Sequence, residues 1–331
     1  MIYICALAAV TFEEQFRAGL MALQRNDLAL AQTGLEAAAK LAPLNGRVWI
    51  ALAQTYRKLG VVDKAAGAVV KAETLGAKDA VVMSSLALYY AESGNVLKAA
   101  EAQARYAELA PKDSAAWERA ESMYFSAAQP LLQQSKFGEA AAIFVAGTAR
   151  LKDSAQLFLG LGVAYYGLRR FDDAAAAFTK TIAIAPEISQ PYVFLGRFLD
   201  QIPARVPGLM KTFIEFEKAN PSLATGYFLH AKALNVQSTE PETAKLLLEK
   251  ALSIVESDGP SHFELGSVLD RLRQYPEAAK EFERAAELVP NDPPTHYRLA
   301  RVYERLGKTE AAKAEWERHA VLEAAARDAK K

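Results

Sequence analysis

The chain has 331 residues, with 39 Lys and Arg against 39 Asp and Glu, so its formal net charge is zero. It therefore lacks the surplus positive charge that phosphate backbones and anionic lipid select, and nucleic acid is not expected as a partner. A single cysteine, Cys5, excludes an internal disulfide framework and a cysteine-ligated zinc site, while 51% hydrophobic content with 18 glycines and 14 prolines is the composition of a chain that folds.

In chain order, residues 1–10 come first as an apolar run too short to span a bilayer. Ala6-Leu7-Ala8 has the small-x-small form of a signal cleavage site, but a basic start is absent. Two expectations stand side by side for the segment 1–11. It is a truncated signal peptide of a periplasmic or secreted protein, or an extra half-turn packed on the first repeat of a cytoplasmic one. Ile4 stands where a lipoprotein signal needs a small residue before Cys5, which disfavours lipid anchoring, and no integral membrane span is expected.

From Phe12 onward three columns recur in phase. An alanine precedes an apolar residue by four places at Ala31/Leu35, Ala65/Val69, Ala140/Phe144, Ala174/Phe178, Ala244/Leu248, Ala278/Phe282 and Ala312/Trp316, at intervals that are mostly 34. A large-then-small pair keeps the same period at Leu52-Ala53, Leu86-Ala87, Leu161-Gly162, Leu195-Gly196, Leu265-Gly266 and Leu299-Ala300, and prolines close units at Pro43, Pro111, Pro186 and Pro290. A fixed period of this length is the signature of a repeat array. The units begin near residues 12, 46, 80, 114, 155, 189, 225, 259 and 293, so a solenoid of about nine repeats covers 12–324, followed by a polar tail at 325–331.

One unit explains the spacing. Phe158, Leu161, Gly162 and Tyr165 fall at i, i+3, i+4 and i+7, one stripe of a helix, and Ala174, Phe178, Thr181 and Ile184 form the stripe of a second helix after a tight turn. The fold class expected is all-α, an α-α superhelix of antiparallel hairpins. The pattern Phe158-x2-Leu161-Gly162-x2-Tyr165, Ala174-x3-Phe178 and Pro186 resembles the tetratricopeptide repeat consensus, with Trp49, Trp117, Tyr192, His262 and His296 in the column that Phe158 occupies.

Two units depart from the period. The fourth carries seven extra residues, read as lying around Ala127–Gln133 with a bend at Pro130, and in the sixth Ile202-Pro203-Ala204-Arg205-Val206-Pro207-Gly208 replaces the tight turn with an irregular loop.

No catalytic constellation emerges. His262 and His296 sit in the buried ring column, His230 and His319 have no ligand partners at metal-binding spacing, and Gly160-x-Gly162 with Gly167 lies inside a helical stripe without a preceding strand. No metal, nucleotide or other cofactor is expected, and no enzymatic activity. What remains is a surface. In proteins that this chain resembles, the first helices line a concave groove that holds a partner segment. The stripe one residue on from the core stripe supplies the candidate groove: Phe16, Leu20, Ile50, Gln54, Ser84, Leu88, Leu159, Val163, Val193, Arg197, Leu229, Phe263, Tyr297 and Arg301. Much of it is apolar, as an interaction surface for a peptide or an amphipathic helix would be. Arg298, Arg301 and Arg305 add a positive edge suited to an acidic flank of the partner. The expected function is thus a non-enzymatic scaffold or adaptor for protein partners, with a cell-envelope assembly factor and the detached repeat half of a larger enzyme as the alternatives.

Overall fold

The computed structural model describes residues 11–328, so the expectations for the apolar segment 1–10 lie outside the described residues. Among the described residues the regular structure is helical: eighteen α-helices and two short 3-10 turns, with no strand. The chain divides into two compact units, Met1–Arg170 and Phe171–Lys331.

The first unit holds α1 (Phe12–Gln24), α2 (Leu28–Leu41), α3 (Gly46–Lys58), α4 (Val62–Leu75), α5 (Ala80–Glu92), α6 (Val96–Leu109), α7 (Ala116–Gln133), α8 (Phe137–Arg150) and α9 (Ala155–Gly167). α1 with α2, α3 with α4, α5 with α6 and α7 with α8 pack as hairpins. Their starts are written in the sequence. Thr11 and Glu14 form a reciprocal capping box, and Asp27, Asn45, Asp79, Asn95 and Ser154 each accept a hydrogen bond from a backbone N–H of the turn they cap. Each hairpin turns on one left-handed residue: Asn26, Gly60, Gly94 and Ser135 all have φ between 58° and 74°. Gly160 serves packing rather than a ligand loop, since a Cβ there would stand 2.3 Å from Cζ of the fully buried Phe144.

The second unit holds α10 (Phe171–Ile184), α11 (Gln190–Phe198), the 3-10 turns Leu199–Gln201 and Pro203–Arg205, α12 (Val206–Ala219), α13 (Ala224–Val236), α14 (Pro241–Ile254), α15 (Gly259–Arg271), α16 (Tyr275–Leu288), α17 (Pro293–Arg305) and α18 (Thr309–Asp328). α13 with α14, α15 with α16 and α17 with α18 are hairpins, turning on Ser238, Arg273 and Gly307. The irregular loop of the sixth unit resolves into the two 3-10 turns, and α12 starts one residue before Pro207, which sits in its first turn where a missing N–H costs nothing. Residues 325–328, read from the sequence as tail, continue α18.

In five of the first helices a ring ties the helix to the turn before it. The ring heteroatom of residue i donates or binds to the carbonyl of residue i−6: Trp49 to Pro43 at 2.7 Å, Tyr192 to Pro186 and Tyr227 to Pro221 at 3.2 Å, His262 to Glu256 at 2.8 Å and His296 to Pro290 at 2.9 Å. Each bond satisfies a carbonyl of the connecting turn and fixes the rotation of the helix that carries the ring.

This column corrects the fourth hairpin. α8 begins at Phe137, sixteen residues after Glu121, the same separation as from Gly46 to Val62 in the second hairpin. The hairpin therefore counts from Glu121, and the ring in the column is Tyr124, fully buried, rather than Trp117. The seven extra residues sit at the head of α7, around residues 114–120, and not around Ala127–Gln133. Pro130 is accommodated inside α7. Residue i−6 from Tyr124 is Glu118, already helical with its carbonyl committed to the helix, so the Tyr124 hydroxyl has no hydrogen-bond partner.

Second-position tyrosines staple helix to helix through carboxylates. Tyr56 donates to Glu36 at 2.9 Å, Tyr303 to Glu283 at 2.7 Å, and Tyr90 to Glu73. Burial first, then the neighbouring carboxylate, pushes the Tyr56 phenol up to about 12, burial pushes Tyr124 up to about 12, and Tyr90 and Tyr303 are raised further. A phenol whose folded value lies above its unfolded one contributes stability in full below about pH 10 and loses it as the pH climbs through the folded value. Spectrophotometric titration of the thirteen tyrosines should show a late class ionising at about pH 12 or above together with loss of helicity. Ionisation of every tyrosine near pH 10 with helicity intact would contradict the stapling.

Candidate functional site

In the first unit the candidate groove residues do not converge. Ile50 is 4% exposed and belongs to the hydrophobic core, with Phe16 and Leu20 half-buried against it. Gln54, Leu159 and Val163 are half-buried, and Ser84 and Leu88 are exposed. The cavity found in this unit lies on another face and is lined by none of these eight residues.

In the second unit they do converge. Val193, Arg197, Leu229, Phe263 and Tyr297 line one groove of ≈ 1260 Å³, built from α11, α13, α15 and α17. Arg301 stands exposed outside this lining, its guanidinium over the Tyr297 ring. One member is displaced in register. α13 begins at Ala224, not 225, as Tyr227 bonding back to Pro221 requires. Counted from Ala224, the groove column of α13 is Phe228 and Lys232, equivalent to Phe263 and Ser267 in α15 and to Tyr297 and Arg301 in α17. Leu229, fully buried, is a core residue at the base of the wall, and Phe228 and Lys232 take its place on the open face.

Lys232 is the functional candidate that the sequence reading passes over. Its side chain is only 10% exposed, held between Asp200 at 2.9 Å and the 5% exposed Glu264 at 3.1 Å. Asn235 donates to the other Glu264 oxygen at 2.8 Å, and Arg271 from α15 donates to the Asn235 side-chain oxygen at 2.7 Å. Burial pulls the Lys232 ammonium down, but Glu264 and Asp200 together outweigh it and hold the value above the ordinary lysine range. Asp200 comes from the first 3-10 turn, so the departure of the sixth unit from the repeat is what brings this carboxylate to the groove. The available signal is a lysine that falls in the groove column, beside Phe228, once the column is counted from Ala224.

The remaining groove carboxylates are largely committed. Asp258 and Asp292 cap α15 and α17, and Asp270 pairs with Arg305. Arg305 is thereby removed from the positive edge expected from the sequence, while Arg197 and Arg298 line the groove without a carboxylate partner among the described residues. The histidines are packed rings. His262 bridges the Glu256 carbonyl and Glu281 at 2.6 Å, and His296 bridges the Pro290 carbonyl and Glu315 at 2.5 Å. Among the described residues no group of three or more His, Cys, Asp or Glu is placed to hold a metal ion, and no helix is long and apolar enough to cross a membrane.

Family models described as tetratricopeptide repeat match residues 16–80, 125–187 and 271–320. The second segment begins four residues after Glu121, as the first begins four after Phe12, in agreement with the ring-column register of the fourth hairpin. No curated protein matches the chain. Among solved structures it is similar to a thermophilic TPR protein of Thermus thermophilus (22% identity, 50% of this chain and 90% of that one, TM-score 0.44). It is also similar to pilF of Pseudomonas aeruginosa (16% identity, 60% and 90%, TM-score 0.47) and to the APC/C hetero-tetramer Cut9-Hcn1 (14% identity, 95% and 88%, TM-score 0.46).

The Lys232 cluster makes a stability prediction. Lys232→Met leaves the charge of Glu264 buried and uncompensated beside Asp200, with only the Asn235 hydrogen bond remaining, which should cost on the order of 3–5 kcal/mol in a denaturant melt. Adding Glu264→Gln should recover much of that loss, because a neutral amide no longer needs the ammonium. A neutral Lys232→Met would mean that the ammonium is hydrated and the cluster is a surface feature.

Proposed function

We propose that this chain, which belongs to the tetratricopeptide repeat family, is a non-catalytic scaffold that holds a segment of a partner protein in the groove of its second unit. The observation that carries the reading is the convergence of Val193, Phe228, Phe263 and Tyr297 from four first helices on one groove, beside Arg197 and Arg298, whose charges no carboxylate among the described residues neutralises. Apolar and aromatic anchors supply affinity, and scattered charges supply register. The partner segment that suits this lining is apolar on one face with acidic residues at its flanks. Phe263 and Tyr297 are held by their neighbours and stay in place without a ligand, since Phe263 stands edge-on to Phe282 at 5.7 Å and Tyr297 to Trp316 at 5.2 Å. A preorganised surface of this kind loses little side-chain freedom on binding.

Photo-crosslinking tests the location. A benzophenone side chain replacing Val193 or Tyr297, both exposed at 36–40%, should capture a discrete protein from the native lysate. The same probe at Leu88, exposed in the first unit, should not. Adducts of equal yield at Leu88, or none at Val193 and Tyr297, would move the interaction off this groove.

A further inference from the structure

The first unit holds a cleft of ≈ 920 Å³ bordered by α4, α5, α6, α7 and α8, away from the first-helix stripe. Its volume falls in the range of roughly 300–1,000 Å³ typical of small-molecule sites. The seven extra residues of the fourth hairpin build it in two ways. They bring Trp117 into its wall, and by extending α7 past Glu118 they remove the turn carbonyl that the hydroxyl of Tyr124, another wall residue, would otherwise bind. That hydroxyl is fully buried and unpartnered. An unsatisfied buried donor costs about 1–3 kcal/mol, a cost relieved when an acceptor arrives.

The charges of the lining can be followed to their partners. Glu108 is taken by Arg150, and Glu73 by Tyr90 and by Lys98 at 3.5 Å. Arg105 makes one long bond, to the Ala77 carbonyl at 3.4 Å, and Lys152 makes none among the described residues. The groups left over are therefore two cations, an indole N–H and a phenol O–H, against the single carboxylate of Glu101. Donors and positive charge prevail, next to the apolar floor of Met83 and Leu86.

We propose that this cleft binds an organic anion, a carboxylate attached to an apolar or aromatic body, with Arg105 and Lys152 taking the charge and Trp117 the ring. It is a site separate from the groove of the second unit, and its ligand does not depend on what that groove holds. The same chemistry occurs in a free aromatic acid and in the C-terminal residue of a peptide.

The test uses the full chain labelled with nitrogen-15, whose three tryptophans give three indole N–H resonances, that of Trp117 being the one lost in Trp117→Phe. Titration with N-acetyl-phenylalanine should shift the Trp117 resonance, with the neutral N-acetyl-phenylalaninamide at least tenfold weaker. Arg105→Gln with Lys152→Gln, the first half-buried and the second exposed, should weaken the acid tenfold or more and the amide little, with the melting curve unchanged. N-acetyl-Ala-Ala-Phe binding more tightly than N-acetyl-phenylalanine assigns the natural ligand to a peptide terminus, and equal binding assigns it to a free acid. The proposal is overturned if the Trp117 resonance stays fixed up to about 10 mM acid, too weak to matter on the scale where 1 mM is already marginal. It is equally overturned if acid and amide shift it alike, or if the double glutamine variant binds the acid unchanged.

Discussion

In α3, α11, α13, α15 and α17 the hydrogen bond from the ring at position i to the carbonyl at i−6 is the constraint that sets the register of the first helix and of the groove built on it. A hairpin array has no sheet to set its register, so each first helix needs something that fixes its rotation about its own axis. A rotation of one residue, about 100°, would exchange the buried stripe for the neighbouring one. The bond between ring and turn prevents this. It accepts Trp, Tyr or His, because all three present a planar apolar body with a polar tip, and that tolerance is why the column reads as irregular in the sequence while the geometry is shared by Trp49, Tyr192, Tyr227, His262 and His296.

Where the constraint holds in its usual form, the sequence is legible. The alanine and leucine columns locate the hairpins, and Val193, Phe263 and Tyr297 do line an open groove. Where it shifts, the sequence misleads. Leu229 stands in for Phe228 because the large-then-small pair of α13 reads His230-Ala231 rather than leucine with a small residue, and an apolar residue in either register looks like a groove residue. Pro221 six residues before Tyr227 carries the information instead. Ile50 is misplaced for a different reason. Packing of Ile50 into the core of the first unit depends on neighbouring hairpins, which no single-helix periodicity encodes.

The two irregular units acquire a common meaning. Each departs from the repeat by releasing a group that regular hairpins keep engaged. The sixth unit opens into 3-10 turns and delivers Asp200 to Lys232 in the groove. The fourth extends the head of α7 and leaves the Tyr124 hydroxyl without an acceptor. Both departures are costly locally, one by desolvating an ammonium and the other by orphaning a donor, and each borders one of the two clefts for which a ligand is proposed.

The first-helix stripe runs along both units, and only its second-unit part is proposed to hold the partner segment. Hydrogen exchange of the chain with and without its captured partner tests this most directly. The account expects added protection in α13, α15 and α17, with α1, α3 and α5 exchanging as in the free protein. Protection spread over α1 to α5, or absent from α13 and α15, would contradict it.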